Sequence, residues 1–145
     1  MKLSVTSWSF PQCNLTESTG LSNLLGINAI DVGYFYRSAL DKNTLLEDYK
    51  KIINEINKHN INYANLYHLF GNSLEDRNLA DINNLEDNKK DLSIVTDFCV
   101  EANIPSIFIL PGVVNPGQSR NDALKNSIES VNKLNEITSK KNKRN

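Results

Sequence analysis

Four strand-then-helix units follow one another along this chain of 145 residues, and that count constrains the fold more than any single residue does. The strands begin near residues 2, 28, 61 and 104. Strands alternating with helices imply parallel pairing with right-handed crossovers. The chain is long enough for one α/β domain with a sizeable core. A closed parallel barrel needs eight such units and builds its active site at the C-terminal ends of the strands. Four units make half of that.

Residues 2–10 alternate, with Leu3, Val5 and Ser7 on one face and Ser4, Thr6 and Trp8 on the other, until Pro11 ends the strand. A short helix over 15–25 follows, with Thr16 as its N-cap, Glu17 in its first turn and Gly26 at its C-terminal stop. The second strand covers 28–35. In the next helix Leu45, Leu46, Tyr49, Ile52, Ile53 and Ile56 repeat at helical spacing, and Asp41 or Asn43 caps its start. The third strand runs over 61–70. A polar connection over 71–86 has the length of a functional cover or a mobile segment.

Leu92, Val95, Phe98, Cys99 and Ala102 form the next helical stripe. The nearly continuous apolar run over 104–110 reads as a strand buried on both faces, broken by Pro111-Gly112. Ser119 caps the last helix, whose stripe is Leu124, Ile128, Val131, Leu134 and Ile137. The expected organisation is a single partial domain over 1–145, with no linker.

Composition excludes several functions. A formal net charge of −1 gives no basic face for nucleic acid or an anionic membrane. No stretch approaches the roughly 20 apolar residues of a membrane span, and the N-terminus lacks the apolar run of a signal peptide. Cys13 and Cys99 have no CxxC spacing, and Cys99 falls on an apolar helix face as a reduced core thiol. A cytoplasmic protein is expected.

Physics leaves two architectures: a four-stranded open sheet, or half an eight-stranded barrel with parallel strands and all helices outside. The motifs decide between them. The opening Lys2-Leu3-Ser4-Val5, the segment Gly26-Ile27-Asn28-Ala29-Ile30-Asp31-Val32-Gly33, the strand end Tyr67-His68, and Leu110-Pro111-Gly112 before Pro116-Gly117-Gln118-Ser119 stand in order along the chain. Together they resemble the N-terminal half of the sugar phosphate isomerase/epimerase family, the xylose isomerase-like TIM barrels. The resemblance implies a (βα)4 half barrel whose full-length parent isomerises or epimerises a sugar or sugar phosphate.

Strand ends then line the site. Trp8 offers an apolar wall to a sugar ring, or packs as a strand-end aromatic. Asp31 resembles the acidic residue that many family members carry on the second strand, where a carboxylate binds hydroxyls or orients a base; a helix-capping or loop-fixing role is the alternative. His68 ends the third strand, where family members often keep a substrate-contacting histidine, and its alternative is a hydrogen-bonded core histidine. Arg37, Arg77 and Arg120 lie in loops on the active-site side, where a guanidinium can grip phosphate. His59 sits near a helix C-terminus, where a cation suits the dipole.

The family is metal-dependent, and the resemblance implies a divalent ion (Mn, Mg, Co or Zn) in the full-length parent. Its ligands come from the fifth to eighth strands. This chain is therefore expected to hold no metal, to have no confident catalytic residue, and to be inactive alone. Abasic-site zinc endonucleases share the barrel and Pro111-Gly112, but their histidine stands where this chain has Leu110. A non-catalytic sugar-binding remnant, or a homodimer closing through the open barrel edges, is the remaining alternative.

Overall fold

Short polar side chains start the helices here. Asn14 accepts from the Glu17 N–H at 3.0 Å while Glu17 Oε2 accepts from the Asn14 N–H at 2.9 Å, a reciprocal capping box. It opens α1 (Leu15–Leu24), so Asn14 rather than Thr16 is the cap. Gly26, at φ 73°, takes the left-handed stop. Asp41 caps α2 (Lys42–Ile56), accepting from the Thr44 N–H at 2.7 Å.

The computed structural model describes residues 3–34 and 40–142. Among the described residues the fold is α/β, a four-stranded parallel sheet with four α-helices. The strands are β1 (Val5–Thr6), β2 (Ala29–Gly33), β3 (Asn62–His68) and β4 (Ile107–Ile109), lying side by side in that order. β1 is shorter than the alternation over 2–10 predicts, because the chain turns at Ser7–Ser9 into a 3-10 helix. Among the described residues, no helix is long and apolar enough to cross a membrane.

The residues group into two units: Met1–His68 with Phe98–Phe108, and Leu69–Asp97 with Ile109–Asn145. In the first, Val5 pairs with Ile30 and Thr6 with Asp31, and β2 runs beside β3. The register shifts between Ile30 and Asp31: Ile30 faces Tyr63, but Asp31 faces Asn65. Ala64 is the extra residue of a bulge. A bulge reverses which alternate residues point to which side. Ile30, Val32, Leu66 and His68 therefore share one face, all buried, while Asp31, Gly33, Asn65 and Tyr67 share the other. Leu45, Ile53 and Ile56 are the buried residues of α2, and Tyr49 meets Phe98 edge-on with ring centroids 6.4 Å apart. β4 departs from the expectation of burial on both faces: Phe108 is 41% exposed.

In the second unit the long polar connection is stitched down. The Asn78 carboxamide is buried; its Nδ2 donates to Glu75 O at 2.7 Å and to Asn115 Oδ1 at 2.9 Å. Its Oδ1 accepts from the Ala80 N–H at 2.9 Å. Gln118 and Asn126 both donate to Ala80 O, and Ser130 to Leu79 O. A buried amide that fills its donor and acceptor sites fixes a loop as a ladder fixes a strand. Gly112, at φ 105°, is held close: a Cβ there would meet Ala80 N at 2.8 Å.

This unit contains α3 from Leu85 (Leu85–Glu101) to Asp97 and all of α4 (Arg120–Asn142). Asp122 N donates to the capping Ser119 Oγ at 3.1 Å. The α4 stripe departs from expectation: Leu124, Ile128 and Val131 are exposed, while Ala123, Ser130 and Leu134 are buried. Small residues go inward here because Ser130 and Asn126 must reach loop carbonyls.

Candidate functional site

Each end of β1–β3 is built by a local device. Thr6 caps the Ser7–Ser9 turn, its Oγ1 accepting from the Trp8 N–H at 3.4 Å. Gly33 pairs with Tyr67, and a Cβ on Gly33 would meet Tyr67 Cβ at 2.7 Å. β2 thus carries no side chain between its neighbours, and the Trp8 ring reaches across to Tyr67 with centroids 4.0 Å apart and a 46° tilt. Tyr67 meets Phe108 in turn at 4.2 Å and 37°. Three rings from β3, β4 and the turn after β1 form one row. Aromatic pairs with centroids about 4.5–7 Å apart attract beyond their buried area, and both of these pairs lie just below that range's lower edge.

A polar row lies next to the aromatic one on the same face. Ser4 Oγ donates to Asp31 Oδ2 at 3.1 Å. Ser106 Oγ donates to Asn65 Oδ1 at 2.9 Å. Among the described residues, Asp31 Oδ1 has no hydrogen-bond partner, which leaves an acceptor for a ligand hydroxyl. Asp31, Asn65, Tyr67 and Trp8 are partly exposed and Phe108 and Ser106 are exposed, so the face is accessible.

The structure brings Trp8 and Asp31 onto this face but not His68. His68 is 0% exposed on the opposite face, where the Tyr34 hydroxyl hydrogen-bonds its Nδ1 and the two rings pack edge-on at 5.7 Å. Arg77, at φ 54°, pairs with Asp91 at 2.8 Å within the second unit. Arg120 opens α4 and is exposed. Arg37 lies outside the described residues. Tyr67, Phe108 and Gly33 complete this face and are not among the candidates that the sequence singles out. The signal was available only through register, since nothing in the alternation places Gly33 between two rings.

Among the described residues no group of three or more His, Cys, Asp or Glu is placed to hold a metal ion, and Asp31 and His68 lie on opposite faces. His59 packs instead against α1, 3.4 Å from Thr19 Oγ1 and 3.5 Å from Thr16 Oγ1. Cys99 is buried, and that burial pushes its thiol up to about 12, keeping it protonated and inert. A separate cavity of about 760 Å³ opens at the other end of the sheet, where the strands start, lined by residues that include Ser4, Asn28, Ile61 and Asn62. No model of a known protein family matches the chain, and no curated protein matches it.

Proposed function

We propose that the chain is the N-terminal (βα)4 half of a xylose isomerase-like barrel, and that its accessible sheet face receives a sugar ring. The complete parent is an isomerase or epimerase of a sugar or sugar phosphate. One observation carries this reading: the row Trp8–Tyr67–Phe108 stands beside Ser4, Asp31, Asn65 and Ser106 on one face. A sugar has the matching chemistry, with a C–H face for the rings and hydroxyls for the polar row. Trp8 and Tyr67 position the ring, and Asp31 accepts from a hydroxyl.

Proton transfer at carbon requires stabilisation of charge developing on oxygen. The described residues hold no group arranged for that step, so none is assigned to them, and the chain alone is expected to be inactive. Trp8 is the single tryptophan, which makes the reading testable by intrinsic fluorescence. Titration with an aldopentose should give a saturable change that Tyr67→Ala removes. Fluorescence indifferent to aldopentoses and aldohexoses alike would sink the proposal.

A further inference from the structure

We infer that the cavity at the strand-start end is a second binding site, for an uncharged nucleobase or nucleoside. It lies at the opposite end of the strands from the Trp8–Tyr67 pair and shares Ser4 with the polar row of the sugar reading. Its volume, about 760 Å³, falls within the range of small-molecule pockets, roughly 300–1,000 Å³.

The lining sets the ligand class. Four carboxamides, Asn28, Asn57, Asn62 and Asn103, line it together with the aliphatic Ile56 and Ile61. No Asp, Glu, Lys or Arg lines the cavity among the described residues; His59 does, and its ring nitrogens lie 3.4 Å from Thr19 Oγ1 and 3.5 Å from Thr16 Oγ1. With no lysine or arginine in that lining among the described residues, little there repays the desolvation of a phosphate or carboxylate. Asn62 Nδ2 is engaged, donating to Asn28 O at 2.8 Å. Among the described residues, the side chains of Asn28, Asn57 and Asn103 make no hydrogen bond within the protein and are exposed, so their donors and acceptors are available to a ligand.

A carboxamide holds one donor and one acceptor in a fixed plane. A base edge does the same, which is why asparagine pairs bidentately with adenine. The flat apolar face of a base also suits the branched aliphatic side chains of the lining. Sugar hydroxyls are rotors without a fixed donor–acceptor edge, and they match this lining less well. Asn103 adds a constraint of its own: it adopts φ 55°, a left-handed conformation that asparagine tolerates better than most residues, and this fixes where its carboxamide starts.

The test is a chemical-shift titration of the full chain with adenosine. Saturable shifts should appear at Asn28, Asn57, Ile61 and Asn103. Affinity should fall about three- to tenfold in Asn57→Ala, the loss of one neutral hydrogen bond. Asn103→Gly keeps the left-handed backbone while removing the carboxamide, and should show the same loss; circular dichroism confirms that both variants fold. Adenosine monophosphate should bind no more tightly than adenosine. The assignment is overturned by absence of saturable shifts, by shifts confined to Trp8 and Tyr67, by tighter binding of the monophosphate, or by xylose titrating the same four residues equally well.

Discussion

One face of the sheet is closed and the other open, although both are made by the same strands. On the closed face Ile30, Val32, Leu66 and His68 are buried, and the imidazole is tied to Tyr34. On the open face every neighbour of Asp31 along the polar row is a hydroxyl or carboxamide, and the rings beyond them are half-exposed. The closed face is where burial stabilises the fold. The open face leaves large rings near water, an arrangement that burial alone does not favour and that suits ligand contact. Chemistry-bearing residues that sit side by side in sequence, Tyr67 and His68, are thereby separated into different roles.

Substitutions should expose this difference directly. Leu66→Ala, on the closed face, is expected to cost about 2–5 kcal/mol through lost burial and a residual cavity, measured by chemical denaturation. Tyr67→Ala, one residue on, should cost only about 1–2 kcal/mol, the scale of its ring contacts. Equal costs would erase the comparison. Gly33→Ala probes the crossing point, since the new Cβ would meet Tyr67 Cβ at 2.7 Å. It should destabilise by about 1–3 kcal/mol, as overpacking does, and shift Trp8 emission by parting the rings. Unchanged emission would mean that the glycine has no part in the stacking.

The smallest effect concerns α2, which lends Leu45 and Ile53 to the core. Hydrogen bonds from Thr44, through its side chain first and its N–H second, hold Asp41 below its ordinary 3.8. A depressed carboxyl stabilises the fold at pH values above its unfolded pKa, and that contribution is lost as pH falls below 3.8 through the folded pKa. Because Asp41 is largely solvated, the loss should be at most about 1 kcal/mol. Asp41→Asn keeps the cap without the charge, and its stability should lose this portion of the acid dependence. Identical acid titrations of the two proteins would remove Asp41 from the account.

Sequence alone made the order of elements legible, because Leu45, Tyr49, Ile53 and Ile56 mark a helix and the runs around Ile30 and Leu66 mark strands. It could not reveal the faces. Strict alternation from Tyr63 puts Tyr67 on the same side as Tyr63, and only the bulge at Ala64 moves it to the other. The same reading grouped His68 with Asp31 and Trp8 because all three lie near strand ends. In α4 the bulky stripe was visible, but Ala123 and Ser130 are buried because loop carbonyls approach the helix closely. Asn78 gave no signal at all: an asparagine in a polar connection reads as solvent-facing until its partners are known.

The most direct measurement is a residue-by-residue chemical-shift map of the full chain titrated with an aldopentose. Trp8, Asp31, Tyr67 and Phe108 should shift together and saturate while Tyr34 and His68 hold still. Shifts centred on His68 and Tyr34, with the aromatic row unmoved, would contradict that assignment of the faces.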